Sequence, residues 1–484
     1  MMRATELVIG LLYFCACIGI ALYFQRKAGK HARAYWGAGQ TIGVWVNGFA
    51  QFSALVSAAS FLGFLGLCYK LGWTFTSIAF GVSSTLGFVV CMLLASGPLR
   101  RYSQLREKFT LSNFFSERYG DATGLATSIF VLILFPAYIV PQLMGGGLAG
   151  AYVLGIDFTY AVILVGVVYV GYVLLGGMLS VTWTDFLQGM LMLGFMLGLS
   201  LVAISHFGGL GELIPQALAV NPHFLGMHPK ISPWTYFGIS VGVFMFALSS
   251  PHIIMRLFTA KSVRAGRLSL AVTGGTSLVF HLLGYIGIAA AALVLFPQLE
   301  NIDNTYIVVM DQLFPPLVRG LAVAGILAAI MSTTDAMLLA AGAEFSNNIY
   351  KRYFKPGASD EEVIRVAKVV MAVIGVITIT LALNQTKSIG VIVGLLVEGT
   401  GSAFAVPLLA GLWWKRANKV GGFVSVVGGF GTFAVVHFMK IVPMFAEILI
   451  SLPVSLLCMV VGSLLTAPPS GETVEFVEQL HCGE

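Results

Sequence analysis

The sequence predicts an all-α integral membrane protein with about thirteen transmembrane helices. Of its 484 residues, 58% are hydrophobic and only 10% are charged, whereas about a quarter of the residues in a soluble globular domain are charged. The apolar residues are gathered in thirteen segments, each about long enough to cross a hydrocarbon core of roughly 30 Å as a helix. The composition therefore excludes a soluble enzyme. No GxxxxGK[ST] loop is present to drive a pump with nucleotide.

The thirteen segments follow one another along a single predicted transmembrane domain that covers residues 1–484. The first is interpreted as a retained span, because only Arg3 precedes it and no small-residue cleavage site follows it. The predicted spans are residues 5–25, 41–67, 74–97, 122–150, 158–178, 184–206, 235–255, 268–296, 317–346, 367–384, 389–413, 420–439 and 445–466.

The basic residues predict how these spans are oriented. Of the 27 Lys and Arg residues, 21 fall in loops on one predicted side of the membrane, namely 26–33, 99–121, 256–267, 351–368 and 415–419. Positively charged loops are retained in the cytoplasm. We therefore expect a multi-pass protein of a bacterial inner membrane, with its N-terminus outside and its C-terminus cytoplasmic. The net charge of +6 is accounted for by basic residues that fix the orientation of the spans. We therefore expect no nucleic-acid partner, and we expect membrane lipid to surround the protein.

Asp185, Asp335 and Glu398 lead the acidic residues within predicted spans, where an unpaired charge costs several kcal/mol and is by default a functional hypothesis. Asp185 opens the sixth span, Asp335 lies in the ninth and Glu398 lies midway along the eleventh. His281 and His437 could also relay protons, although a lone histidine inside a membrane is more often a packing residue.

Spans two and nine place small and hydroxyl residues together at the depth of the membrane centre. The stretches are Gln51–Phe61 and Ala328–Asp335. Such helices can be broken, which frees carbonyl groups that coordinate Na⁺ together with Ser and Thr hydroxyls. The alternative is close packing of helices through their small residues. The spacing alone leaves both interpretations open.

Five stretches together resemble one known family. They are Ser57–Gly63 in span two, the string from Gly176-Gly177 through Trp183-Thr184-Asp185 to Gln188, Pro251-His252 with Arg256 after span seven, Ala328–Thr333 in span nine and Trp414–Asn418 after span eleven. The chain thereby resembles the sodium:solute symporter family over essentially its whole length. That family includes bacterial proline, pantothenate and monocarboxylate permeases and the mammalian sodium/glucose cotransporters.

The resemblance implies a transporter, not an enzyme, with a core of two inverted five-helix repeats and discontinuous helices. The repeats would cover about 41–206 and 235–413, with extra helices at 5–25, 420–439 and 445–466. The implied coupling ion is Na⁺, held by backbone oxygens and by two hydroxyls. These ligands are expected at Ser53, Val56, Ala329, Ser332 and Thr333.

The resemblance also assigns a role to two of the intramembrane acids. Asp185 matches the family's acidic residue on the inner sodium route, which in some relatives contributes to a second sodium site. Asp335 stands where those relatives place a hydroxyl. It could strengthen a second ion site with Asp185, or it could pair locally, and both alternatives remain open.

By analogy, seven residues are expected to form the substrate pocket: Leu55, Ser57, Ser60, Gln142, Val243, Ala247 and Glu398. No Lys or Arg is predicted there, so helix N-termini and hydroxyls would hold one carboxylate. Proline permeases carry aromatic residues where this chain has Val243 and Ala247. Glu398 could bind a substrate amine, take up a proton or cap a neighbouring backbone.

We therefore predict Na⁺-coupled import of a small organic solute by alternating access, with a monocarboxylate or a pantothenate-like acid as the substrate. The alternative is symport of Na⁺ with proline or another amino acid. Proton-coupled symport and a membrane sensor are the remaining possibilities. The transporter is expected to function as a monomer.

Overall fold

The thirteen predicted spans each contain helix in a computed structural model, which describes residues 3–27, 32–384 and 387–481. Lys30 of the first basic loop lies outside the described residues, as do the side chains of Arg26, Lys27 and Arg33. We number the helices by predicted span. They are α1 Ala4–Lys27, α2a Val44–Leu55, α2b Ala59–Leu71, α3 Thr74–Leu94, α4 Asp121–Leu154, α5 Phe158–Val173, α6 Met178–His206, α7a Pro233–Ser249, α7b Pro251–Thr259, α8 Val263–Leu295, α9 Pro316–Ala343, α10 Asp360–Ala382, α11 Ile389–Trp413, α12 Lys419–Phe438 and α13 Ile448–Leu464.

Most of these helices are long and apolar enough to cross a bilayer. Ten meet that criterion in the described chain, and α2a with α2b makes an eleventh as a bent pair. The helices α5 and α13 are shorter, at 16 and 17 residues. The remaining helices connect the spans or extend them: Ala32–Gly37, Ser96–Arg106, Leu111–Tyr119, Leu210–Val220, Thr305–Leu313, Glu344–Phe354 and Gly471–His481.

Three helices, α6, α8 and α10, begin at least five residues earlier than their hydropathy predicts, and two of them start with charged first turns. The helix α8 starts at Val263 and not at 268, and α10 starts at Asp360 and not at 367. Both begin behind a serine cap, since Ser262 accepts a hydrogen bond from Ala265 N and Ser359 accepts one from Glu362 N. Charged residues occupy these first turns, which therefore look like loop in a search for apolar residues although their backbone is helical.

The second span is broken, as the sequence suggests. The helix α2a ends at Leu55, Val56 is extended at φ −80° and ψ 110°, and α2b continues from Ala59 after a bend of 61°. The carbonyl of Ser57 accepts hydrogen bonds from Ser60 N and Phe61 N, which starts the second half.

The ninth span, where the sequence suggested a similar break, is continuous over the 28 residues of α9. Of the two interpretations that the sequence left open for this span, the structure shows the unbroken helix, in which Thr334 Oγ1 donates to Ile330 O at 2.7 Å. The second break lies instead in span seven. There Ser250 is extended at φ −66° and ψ 124°, and Pro251 opens α7b. A residue that precedes proline is disfavoured in helical conformation.

Hydrogen bonds draw the basic loops together at one end of the bundle, which we call the basic end. Arg118 donates to the carbonyls of Gly411, Trp414 and Ala417 at 2.8–3.0 Å, and Arg100 Nε donates to Ala260 O at 2.5 Å. Burial lowers the pKa of Arg118. The side of the membrane that this end faces stays a prediction.

The two described ends of the chain lie at opposite ends of the bundle. His481 in the last helix bonds to Leu412 O at the basic end, whereas Arg3 pairs with Asp311 beyond the start of α9. This arrangement matches an odd number of spans.

The end opposite the basic loops is closed by direct contact between backbones. A Cβ atom at Gly63 of α2b would lie 2.3 Å from Gly390 N of α11, and one at Gly66 would lie 2.4 Å from Ile302 O. Beside this contact, Asp303 Oδ2 accepts a hydrogen bond from Ile389 N at 3.1 Å. Burial raises the pKa of the Asp303 carboxyl, and that hydrogen bond lowers it. The closure leaves the residues near the α2 break without solvent contact.

Candidate sodium and substrate site

The expected sodium ligands meet where α2a ends against the middle of α9. Ser332 Oγ donates to Ser53 O at 2.9 Å and to Ala329 O at 3.3 Å. Thr333 Oγ1 donates to Ala54 O at 3.3 Å. All of these residues are buried. The structure thus brings two carbonyls and two hydroxyls of the predicted set together, and it adds the carbonyl of Ala54.

The break in α2 makes these carbonyls available. An N–H three or four residues further along would normally bond to the carbonyls of Ser53 and Ala54. Here Ser57 N points to Ser60 Oγ at 3.5 Å, and Ala58 N donates to Gln142 Oε1 at 2.9 Å. Val56 N makes the last helical bond, to Phe52 O at 2.8 Å. Val56, whose carbonyl was the remaining expected ligand, therefore lies directly after the end of α2a.

The donor set suits a monovalent hard cation. Carbonyl and hydroxyl oxygens are neutral, so they can surround Na⁺ without burying a net negative charge. The hydroxyl protons of Ser332 and Thr333 point at carbonyls, and rotating them away would turn both oxygens toward the same volume as the carbonyls. In addition, Ser53 Oγ is buried with no hydrogen-bond partner in the described structure. The residues present therefore fit Na⁺.

A cluster of charges lies beside this neutral site. Arg256 Nη2 of α7b donates to Asp185 Oδ2 of α6, and both side chains are almost completely buried. Asp335 of α9 interacts electrostatically with Asp185 and Arg256, but neither of its carboxylate oxygens has a hydrogen-bond partner among the described residues. Asp335 is three residues beyond Ser332, and one turn of α9 therefore separates it from the neutral site toward the basic end.

The predicted substrate residues of α2 and α4 also come together, at the α2 break. Gln142 bonds to Ala58 N, as described above, and Tyr138, one turn earlier on α4, lies within hydrogen-bonding reach of Ser57. Tyr285 of α8 donates to Ser60 O at 2.6 Å. Leu55 is the last residue of α2a and is buried.

The two predicted residues of α7 lie differently. Ala247 packs toward α3, because a Cβ at Gly87 of that helix would lie 2.8 Å from Ala247 Cβ, and Val243 is one turn away on the same side of α7a. Phe246 instead stacks on Tyr138, with 6.1 Å between ring centroids. These placements favour Phe246 as the α7a side chain that faces α4.

The sequence reasoning missed Tyr138, Phe246 and Tyr285. Helical spacing was the signal that could have found one of them. Tyr138 lies four residues before Gln142, so it shares a helix face with a residue that was recognised.

Glu398 is directed away from the α2 break. Its Oε2 accepts a hydrogen bond from Ile448 N, at the start of α13, at 3.2 Å. Its Cγ packs against α7a so closely that a Cβ at Gly242 would lie 2.6 Å from it. Among the three roles that the sequence left open, capping a neighbouring backbone is the one that this geometry displays.

Comparison with known proteins places this arrangement in a family. The profile described as the sodium:solute symporter family matches residues 35–429. The chain belongs to the sodium:solute symporter family. It is accordingly a multi-pass membrane transporter that couples Na⁺ to the movement of a solute.

Two curated members of this family resemble the chain over most of its length. The osmoregulated proline transporter OpuE of Bacillus subtilis is 30% identical over 441 residues, which cover 89% of this chain and 88% of that protein. The high-affinity proline transporter PutP of Bacillus subtilis is 27% identical and covers 93% and 96%.

Solved structures share the fold. A Na⁺-coupled sialic acid symporter, described in a substrate-bound outward-open state, superposes with a TM-score of 0.83 at 19% identity and covers 96% of this chain and 98% of that one. Mhp1, a nucleobase-cation-symport-1 family transporter in a closed conformation, gives a TM-score of 0.61 at 13% identity and covers 92% and 97%. This likeness confirms the predicted transporter fold with its discontinuous helices.

Proposed function

We propose that this symporter carries proline or another small apolar amino acid together with Na⁺. The observation that carries the proposal is the pair of helix breaks at Val56–Ala58 and at Ser250. Each break presents carbonyl oxygens from one half-helix and N–H groups from the next. A zwitterion carries a carboxylate for the N–H ends and an ammonium group for the carbonyl ends, so it needs no charged side chain.

The surroundings of the breaks support an apolar substrate side chain. Tyr138 and Phe246 form a stacked pair, and Phe246 also contacts the ring of His252 in α7b. These rings offer an apolar surface next to polar backbone groups. The printed names of OpuE and PutP, both proline transporters, also favour the amino-acid alternative over a monocarboxylate or a pantothenate-like acid. The substrate amine has no need of Glu398 in this proposal.

In the proposed cycle, Na⁺ enters from the end opposite the basic loops and binds between α2a and α9. Its ligands are Ser53, Val56, Ala329, Ser332 and Thr333, and bound Na⁺ fixes the end of α2a beside the substrate pocket. The pocket draws on Leu55, Ser57, Ser60 and Gln142 with Phe246, and Val243 and Ala247 support it from the side of α3. Rocking of the repeats 41–206 and 235–413 would then open the basic end.

We assign Asp335 and Asp185 to the exit route and not to a second sodium site. Arg256 already pairs with Asp185, and a guanidinium beside a carboxylate repels a second cation. Asp335 lies one turn beyond the sodium site, and its two acceptor oxygens have no hydrogen-bond partner in the described part of the chain, which suits a transient contact with a departing ion. Opening the route would separate Asp185 from Arg256.

Every ligand in this proposal comes from one chain, which supports a functional monomer surrounded by membrane lipid. We also propose that the basic end is cytoplasmic, because positively charged loops are retained on that side. The N-terminus would then lie outside the cell.

The experiment that tests the substrate is uptake of labelled proline into proteoliposomes under a Na⁺ gradient. We expect uptake to require Na⁺ and to fail when K⁺ or choline replaces it. Unlabelled proline should compete, whereas lactate and pantothenate should not. Na⁺-dependent uptake of lactate or pantothenate without uptake of proline would contradict the proposal.

The membrane potential provides a second discrimination. A zwitterion that moves with one Na⁺ carries a net charge, so an inside-negative potential should accelerate uptake, with about 2.3 kcal/mol available per charge and 100 mV. A monocarboxylate that moves with one Na⁺ carries no net charge. An uptake rate that does not change when a potential is imposed with K⁺ and valinomycin would favour a monocarboxylate as the substrate.

A further inference from the structure

A second pair of buried carboxyl groups lies far along the sequence from the sodium ligands, where α11 meets the start of α13. Glu398 of α11 is fully buried, and Glu447, the residue before α13, is 3% exposed. Glu398 accepts a hydrogen bond from the backbone of Ile448, which directly follows Glu447, so the two carboxyl groups are neighbours. Neither takes part in the sodium or substrate site described above.

The hydrogen bonds of this pair are incomplete in a specific way. Glu398 Oε2 accepts from Ile448 N at 3.2 Å, and Glu447 Oε1 bonds to His437 Nδ1 at 2.8 Å. The other oxygen of each, Glu398 Oε1 and Glu447 Oε2, is buried without a partner in the described structure. Two neighbouring acceptors thus lack one donor, and a buried acceptor without a donor costs roughly 1–3 kcal/mol.

One proton would satisfy both oxygens. Two carboxylates that share a buried site do not both ionise, because their charges repel at short range with little screening. We propose that Glu398 and Glu447 form a proton-binding site in which a single proton is held between Glu398 Oε1 and Glu447 Oε2. The N-terminus of α13 stabilises the negative charge that remains on the pair.

His437 connects this site to the surface. Its side chain is 25% exposed while that of Glu447 is 3% exposed, so the imidazole is the member of the group that reaches the outside of the helix bundle. It lines a cavity of about 490 Å³ between α4, α11 and α12. Because imidazole can accept a proton on one nitrogen and donate from the other, His437 provides the route by which the proton enters and leaves.

The other elements packed around the pair contribute few charges. The helix α7a presents Gly242 to Glu398, and α4 lines the cavity with Ile133, Leu134 and Ala137. Lys387 lines the same cavity beyond His437, and Lys440 is exposed in the loop that follows α12. Both lysines lie on the outer side of His437 and place no side chain between Glu398 and Glu447.

The site would couple the pH at the end opposite the basic loops to the position of α11. Loss of the proton leaves two buried negative charges between α11 and α13, which pushes these helices apart. The helix α11 also closes that end through Gly390. This proton site is additional to Na⁺ coupling, and its existence does not depend on which solute the protein carries.

Infrared difference spectroscopy of the full-length protein in lipid nanodiscs tests the proposal, because a protonated carboxylic acid has a carbonyl stretch that a carboxylate lacks. We expect one such band to vanish in both Glu398→Gln and Glu447→Gln. Glu344→Gln is the matched control, since Glu344 is also a buried glutamate but accepts hydrogen bonds from Ser128 and Asn348. The band should survive in that variant.

Several outcomes would overturn the proposal. A band that survives in both glutamine variants means that no proton lies there, and a band lost in only one variant means that the proton belongs to a single carboxyl. A band that disappears when Na⁺ is added at constant pH means that the pair binds the metal ion.

The wild-type protein and His437→Gln decide the question if a glutamine variant does not fold. The wild-type band should shift in D₂O, and His437→Gln should keep the band but slow its response to a jump in external pH at least severalfold. An unchanged rate would remove His437 from the route, and a missing wild-type band would remove the site.

Discussion

Two clusters of buried polar groups lie next to each other in the core, and they are built on opposite principles. Where α2a meets α9, Ser332 and Thr333 donate to free carbonyls, and the interacting groups are all neutral. Where α6 meets α7b, Asp185 pairs with Arg256, and the side chain of Asp335 has no hydrogen bond to any residue that the structure describes. The cluster between α2a and α9, which we call the neutral cluster, consists of hydrogen bonds between uncharged groups. The cluster between α6 and α7b, the charged cluster, consists of ionised side chains.

The difference indicates which cluster can release its contacts during a transport cycle. A neutral hydrogen bond contributes about 0.5–1.5 kcal/mol net, so Na⁺ can replace it at small cost. Removing one partner from a buried ion pair costs about 3–5 kcal/mol, because the other charge stays buried. The neutral cluster is therefore suited to binding, and the charged cluster is suited to holding the basic end closed.

The largest expected effect belongs to the charged cluster. Asp185→Asn leaves the buried guanidinium of Arg256 without a neutralising charge and should lower the free energy of unfolding by about 3–5 kcal/mol. Thermal unfolding of the purified protein measures it. The double variant Asp185→Asn with Arg256→Gln should regain part of the loss, since no unpaired charge remains. A double variant less stable than the single one would contradict this interpretation of the pair.

The second effect belongs to the neutral cluster. Ser332→Ala removes the hydroxyl that contacts both Ser53 O and Ala329 O, and a contact to a charged ligand is worth about 1.5–3 kcal/mol. The Na⁺ concentration for half-maximal uptake should therefore rise about ten- to a hundredfold. Thr334→Ala is the matched control, because its hydroxyl bonds within the helix to Ile330 O. Equal effects from the two variants would argue against the site.

Asp335 should show a kinetic effect, since we place it on the exit route. Asp335→Asn is expected to lower the maximal rate of Na⁺-driven uptake about three- to tenfold, which corresponds to about 0.7–1.4 kcal/mol of barrier. The Na⁺ concentration for half-maximal uptake should change less than the maximal rate. If that concentration rises while the maximal rate stays constant, Asp335 is a ligand of a second sodium site instead.

The smallest effect is expected from a conservative change at the neutral cluster. Thr333→Ser keeps the hydroxyl that faces Ala54 O and should change the Na⁺ dependence of uptake less than about twofold. Thr333→Ala loses that oxygen and should shift the dependence by more, in proportion to one contact with a charged ligand of about 1.5–3 kcal/mol. Equal shifts of the Na⁺ dependence in Thr333→Ser and Thr333→Ala would contradict a role of the Thr333 hydroxyl in the neutral cluster.

The spans could be predicted from the sequence because the lipid selects apolar residues over a fixed length. The break in α2 was also visible, since small and hydroxyl residues cluster there. The break in α7 was missed, although a residue that precedes proline, here Ser250 before Pro251, is disfavoured in a helix. The pattern of hydroxyls in α9 was misleading, because serine and threonine can satisfy themselves on their own helix.

The partners of the buried charges could not be predicted from the sequence. Arg256 lies 71 residues from Asp185, and Glu447 lies two spans after the helix that carries Glu398. Only the packing of the helices decides which of these groups meet. The directions of Ala247 and Phe246 on α7a are likewise set by the crossing of that helix with α3 and α4.

The closure at Gly63 and Gly390 involves no side chain from either residue. The contact between these two glycines is made of backbone atoms alone, and the titratable group nearest to it is the Asp303 carboxylate that accepts from Ile389 N. The two backbones are in direct contact, so a single methyl group at either glycine would force α2b and α11 apart. Gly63→Ala should therefore hold the transporter in a conformation that is open at that end. Such a variant would allow the open state to be solved and would let ligands that enter from that side be tested.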